Sequence, residues 1–175
     1  MKVIVLVSAF MFFGSAAASA PSGSLSASTV AAEIQTVGAS TVLRKYYDTP
    51  AWSKAIIPGV RSGAPTWLSV AMQLHTVSDA GSSEDLDLAL YAALARAPFR
   101  VLPLLSKLYG GTVEDLCNVS FEAELPEPGV SASEYLAQIR AKLADAHTGA
   151  EKVMAASCAH GLDRSVAAAK AQGLR

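Results

Sequence analysis

Histidine and cysteine are scarce in this chain, three and two among 175 residues, and none of them falls into a spacing that builds a site. His75, His147 and His160 form no His-Glu-x-x-His pair that would set two imidazoles on adjacent helical turns, which excludes the usual zinc-hydrolase arrangement. Cys117 and Cys158 are too far apart for a Cys-x-x-Cys motif, so nothing lowers one thiol's pKa for redox work. There is no Gly-x-Ser-x-Gly elbow to present a serine nucleophile. Charge of either sign is also in short surplus: 14 basic and 15 acidic residues leave a formal charge of -1, without the basic footprint that nucleic acid or an anionic membrane surface requires. No constellation here identifies a reaction, and the sequence predicts no catalytic residues, no metal site and no cofactor.

Apolar residues make up 51% of the chain, which raises the question of a membrane protein until their placement is considered. They concentrate at the N-terminus and in alanine-rich segments. Lys2, the apolar run from Val3 to Phe13 and the small residues Gly14 to Ala20 together read as a secretory signal peptide over 1–18, with Ala16 and Ala18 at the small-residue cleavage positions. The run is shorter than the roughly 20 residues a membrane-spanning helix needs, and no later stretch reaches that length. No cysteine stands where a lipid anchor would attach. The expectation is an exported chain, periplasmic or secreted, with no stable membrane insertion after cleavage. A flexible tether over 19–28 and a single helical domain over 29–175 would follow.

An exported chain with two cysteines predicts one disulfide, Cys117 to Cys158, whose closed loop is worth about 3 to 4 kcal/mol if unstrained. Around it the pattern is helical. Val30, Ile34 and Val37 share a face before Gly38, and Val42, Leu43, Tyr46 and Tyr47 follow, giving one kinked helix or two short ones. Thr49-Pro50 and Ala64-Pro65 read as helix starts, with Trp52, Ile56, Ile57 and Val60 inward in the first and Trp67, Leu68, Val70, Ala71 and Leu74 in the second. The stretch Ser78 to Ser83 reads as a loop, with Ser83 capping a central helix and Glu84, Asp85 and Asp87 placing charge at its positive end. Leu86, Leu90 and Leu94, flanked by Ala89, Ala93 and Ala97, give that helix a broad face that packs closely.

Ala97-Pro98 opens a helix whose Phe99, Val101, Leu102, Leu104, Leu105 and Leu108 predict burial on most sides. Thr112 and Asp115 form a capping box before a single turn, and Val119 to Leu125 alternates as one isolated extended segment. Ser131 or Ser133 caps a helix through Tyr135, Leu136, Ile139 and Leu143, with a pause at Thr148-Gly149 before a last helix carrying Val153, Met154 and Cys158. The fold class is all-α: a small multi-helix bundle of about six to eight short helices stapled by one disulfide.

Trp52 and Trp67 bracket the bend from Ile57 to Pro65, and both fit as core anchors. With Arg61 between them they also make the best binding-spot candidate, because aromatics and arginine dominate binding hot spots. Met154, Cys158 and His160 would suit a soft metal only if Cys158 were unbonded. Acid pairs such as Glu84 with Asp87, or Glu122 with Glu124, would suit glycoside hydrolysis only across a cleft.

The set Gly63-x-x-x-Trp67-Leu68-x-Val70-Ala71, then Asp79-Ala80-Gly81, then Pro98-x-x-Val101-Leu102, resembles small exported proteins of unknown function from Gram-negative bacteria. The resemblance implies a periplasmic helical domain and brings no catalytic residue with it. Non-enzymatic binding of an unknown protein or other cell-envelope macromolecule is the leading expectation. A small-ligand or metal carrier, and then a cell-wall-directed hydrolase, are the alternatives.

Overall fold

The computed structural model describes residues 25–119, 126 and 129–171. The expected signal peptide, most of the expected tether and all but Val119 of the expected extended segment lie outside them. The first helix, α1 (Ala27–Val37), starts where Ser26 accepts the Thr29 N–H at 3.2 Å, and it buries Val30 and Ile34, one turn apart. Gly38 ends it at φ +84°, a left-handed conformation that a side chain resists, and α2 (Ala39–Tyr46) departs at once to bury Val42 and Leu43.

The next start departs from the capping geometry expected at Thr49. Its hydroxyl donates back to the Tyr46 carbonyl, and its own carbonyl accepts the Trp52 N–H at 3.0 Å. A wide π-turn over Trp52–Ile56 follows, closed by the Ile57 N–H on the Trp52 carbonyl, and passes into α3 (Ile57–Arg61). Pro58 has no N–H to give to the preceding turn, and local widening of this kind is how a helix accommodates such a gap. Gly63, at φ +70°, turns the chain into α4 (Pro65–His75).

The central helix α5 (Ala80–Leu94) begins four residues earlier than the sequence suggests. Asp79, not Ser83, is its cap: Asp79 Oδ1 accepts the Ser82 N–H and Ser82 Oγ accepts the Asp79 N–H, both at 3.1 Å. A carboxylate is the stronger acceptor for these orphan donors, so the reciprocal box forms there and Ser83 merely donates to the Ala80 carbonyl. Glu84, Asp85 and Asp87 consequently fall beyond the first turn and are free for other partners. Leu86, Ala89, Leu90, Ala92, Ala93 and Leu94 are all buried, and α5 packs against α3, α4 and α6 (Pro98–Tyr109).

Burial of α6 is more one-sided than its composition predicts. Val101, Leu102 and Leu105 are in the core, while Phe99, Leu104 and Leu108 are only half-buried. After α6 comes the single turn α7 (Val113–Leu116), held by the expected box between Thr112 and Asp115. Ser131 caps α8 (Ala132–Leu143), whose Tyr135 reaches into the bundle and donates to the Tyr91 carbonyl at 2.8 Å. The long α9 (Gly149–Ala171) starts where Glu151 accepts the N–H groups of His147 and Thr148.

Among the described residues the architecture is all-α, nine α-helices and one π-turn with no strand. Cys117 and Cys158 are bonded, Cα atoms 5.2 Å apart and both fully buried, which ties α9 to the end of α7. Gly161 permits that contact: a Cβ there would overlap the Glu114 carbonyl and press on Cys117. Arg164 adds a surface bond to Glu114 at 3.0 Å.

Two outcomes follow for stability. The chain should show no free thiol when denatured, and replacing both cysteines by serine should lower its unfolding free energy by about 2 to 4 kcal/mol while the helical circular dichroism persists. The caps predict acid lability. Hydrogen bonds to Ser82, to Thr112 and to the Thr148 and His147 amides hold Asp79, Asp115 and Glu151 below their ordinary 3.8, 3.8 and 4.5. Glu33 is held below 4.5 by Lys45 and Tyr46. Because the folded values are depressed, their stabilisation is fully present above those ordinary values and is lost as the pH falls through the folded ones. Thermal melts should therefore be flat with respect to these groups at neutral pH and decline below about pH 4.

Candidate functional site

The two tryptophans take different roles. Trp52 is 4% exposed, its indole Nε1 donates to Asp85 Oδ2 at 2.8 Å, and Tyr47 stands edge-on to it with ring centres 5.4 Å apart. It is a core anchor with its polar tip satisfied, and it has no surface left for a partner. Trp67 is half-buried and lies flat over Gly59, where a Cβ would overlap the indole. Arg61 closes α3, half-buried, with its carbonyl accepting from Arg96 Nη1 at 3.3 Å and its own Nε buried without a hydrogen-bond partner. The structure thus brings Trp67 onto Gly59 of the helix that Arg61 ends, and it separates Trp52 from them as a buried residue.

The more prominent surface feature was not legible in the sequence. Helices α4 and α6 run side by side in the same direction: Arg100, near the start of α6, donates through Nε to the Gly63 carbonyl just before α4 at 3.1 Å, and His75 and Tyr109 meet at the far ends with ring centres 6.2 Å apart. Between them lies an open groove of about 380 Å³. Pro65, Leu68, Ser69 and Met72, at positions i, i+3, i+4 and i+7 of α4, form one wall, and Arg100, Leu104 and Lys107 form the other along α6. The floor is apolar, with Leu68 buried and Met72 and Leu104 half-buried. Both charged residues of the lining are cations. Lys107 is exposed and makes no hydrogen bond or ion pair, and Arg100 has the single bond to Gly63 and no carboxylate partner.

The far end of this seam is closed by polar contacts. Asp87 of α5 accepts from Tyr109 and bonds His75 Nε2 at 2.8 Å, so one carboxylate ties the ends of α4 and α6 to the helix beneath them. Desolvation, and then the bond to Asp87, push the Tyr109 phenol well above its ordinary range, which keeps it protonated and donating at neutral pH. Tyr91 is raised in the same way by its burial, with Asp87 adding to it. No serine, threonine or cysteine among the described residues bonds the His75 ring, so the cluster has a histidine and an orienting carboxylate without a nucleophile for them to activate. Its geometry is that of a brace.

A second groove, of about 480 Å³, runs along the start of α9 beside Val113 and is lined by Val153, 72% exposed, with Ala150 and Met154. It carries no charge to choose a partner. No group of three or more potential metal ligands occurs among the described residues, and His147 and His160 are both exposed on the surface. The disulfide removes Cys158 from any ligand set with Met154 and His160. His147 does not pair through its ring with Glu151, which instead takes the backbone N–H.

Asp87→Ala should remove the acceptor that Tyr109 and His75 share, leave the exposed Tyr109 hydroxyl to water, and lower the unfolding free energy by about 1 to 2 kcal/mol in urea titrations. Asp87→Asn, which keeps an acceptor oxygen, should fall between this variant and the parent. No protein-family model matches the chain, and neither a curated protein nor a solved structure is significantly similar to it.

Proposed function

We propose that this chain is an exported, periplasmic helical protein that acts without catalysis, by binding a macromolecular partner in the groove between α4 and α6. The observation that carries the reading is the composition of that groove: an apolar floor of Leu68, Met72 and Leu104 flanked by Arg100 and Lys107, neither of them neutralised by a carboxylate. Cations without carboxylate partners beside accessible apolar surface offer a potential that an acidic partner surface complements. Export is supported by the signal-like N-terminus and by a disulfide of the kind that persists in oxidising compartments. None of the helices described is long and apolar enough to cross a membrane.

The openness of the groove favours a macromolecule over a small ligand. Small-molecule sites enclose most of the ligand's surface, and a trough between two parallel helices leaves one whole side in water. A partner's surface covers such a trough from above and excludes that water.

The test is site-specific photo-cross-linking in intact cell envelopes, with the photoreactive residue at Ser69 in the groove or at the exposed Lys142 on α8 as control. A discrete protein adduct from position 69, absent from position 142 and lost when Arg100→Glu and Lys107→Glu are combined, is the expected result. Equal adducts at both positions, or an adduct indifferent to the charge reversal, would overturn the proposal.

A further inference from the structure

The spacing of the two groove cations points to the form of the occupant, on the premise that the groove is the binding site proposed above. Arg100 and Lys107 are seven residues apart on one helix, two turns and about 10 Å along its axis, and they project from nearly the same side. Leu104 lies between them, and Leu68 and Met72 repeat the four-residue interval on the opposite wall. The trough's lining runs from Pro65 to Met72 on α4 and from Arg100 to Lys107 on α6, about 10 Å along each axis. We infer that it receives an acidic amphipathic helix of a partner protein, which presents two carboxylates seven residues apart to Arg100 and Lys107 and apolar side chains between them to Leu68, Met72 and Leu104.

An extended peptide is the poorer occupant for a physical reason. A strand binds by completing a sheet edge, through a row of unpaired backbone N–H and C=O groups, and the walls of this groove are helices whose backbone groups bond along their own axes. A strand laid here would lose its water and gain no backbone partner. A helix brings its hydrogen bonds with it, and its side-chain ridges at intervals of three and four residues match the rows on α4 and α6. Its heptad positions return to the same face as Arg100 and Lys107 do. A carboxylate at each of two such positions therefore reaches both cations at once, whereas the same two acids on opposite faces reach at most one.

The experiment uses synthetic peptides of about 15 residues with helical circular dichroism, titrated by fluorescence anisotropy against the signal-cleaved full chain. One carries glutamates seven residues apart with leucines between them, the second has the same composition with its glutamates on opposite faces, and the third replaces both glutamates by lysine. The heptad-spaced acidic peptide should bind about tenfold more tightly than its rearranged counterpart, with the difference shrinking at high salt. Lys107→Glu should cancel most of that advantage and improve binding of the lysine peptide. This variant breaks no side-chain contact, because Lys107 is exposed and unbonded; it does set an acid in the last turn of α6 against the helix dipole, so unchanged helical circular dichroism is its folding control. It is therefore the primary variant, and Arg100→Glu, which also removes the Gly63 bond, is the secondary one.

Equal affinity of the two acidic peptides, or no effect of Lys107→Glu, would overturn the inference. Displacement of the acidic peptide by dodecanoate at submicellar concentration, together with tighter binding of dodecanoate itself, would overturn it too and assign the groove to an anionic acyl chain. The peptides also separate this inference from its premise. If cross-linking at position 69 depends on Arg100 and Lys107 while the peptides ignore spacing, the groove stands and the helical occupant falls. If position 69 captures no partner, both fall.

Discussion

Burial of α5 is the constraint on which the other helices depend. Its apolar and small residues leave little of it for water, since Leu86, Ala89, Leu90, Ala92, Ala93 and Leu94 are all inside, so it has to be covered from several directions. α3, α4 and α6 supply that cover, and Tyr135 of α8 reaches in to bond the Tyr91 carbonyl. The alanines matter as much as the leucines. Short side chains let neighbouring helices come close, and close packing over a large apolar area is what stabilises a domain of this size.

The groove is a consequence of the same arrangement. α4 and α6 both lie on α5, both point the same way, and the chain that links them is α5 itself with its two short connections. Two helices resting on a third leave a trough on their outer side. The trough owes its mixed lining to the outward turn of Arg100, Leu104 and Lys107 on α6, a helix whose composition alone suggests burial on most sides. Acids of α5 serve the same assembly: Asp85 satisfies the buried Trp52 indole and Asp87 binds the ends of α4 and α6. Their place beyond the first turn of α5 follows from the Asp79 cap, which moved the helix start back and released these carboxylates from the dipole role.

Next to the end of α6 the covalent staple and a missing side chain act together. Cys117 and Cys158 bring α7 and α9 within bonding distance, and Gly161, one turn beyond Cys158 on α9, lets the backbone of α7 settle against that helix. Ser165 continues the contact one turn later, its buried hydroxyl near the Gly161 and Cys117 carbonyls. The bond and the close approach support each other, because each needs the same short separation.

The sequence by itself determined the features that depend on neighbours along the chain. Helical class, the starts at Pro65, Pro98 and Thr112, a cap at Ser131 or Ser133, and an interruption or bend at Gly38 rest on local hydrogen bonding and backbone freedom, which a few adjacent residues carry. The disulfide was legible because only two cysteines were there to pair. Where two local signals competed, as with Asp79 and Ser83 for the start of α5, the stronger acceptor won and the sequence pattern did not rank them. Only the tertiary structure decided which helices lie side by side. Trp52 and Trp67, alike in sequence, went to the core and to the half-buried bend, and Arg100 and Lys107 became the charged wall of a groove because α4 lies next to them. The physical reason is that a helix's periodicity records that a face is apolar, and the identity of the face it meets resides in packing among residues far apart in the chain.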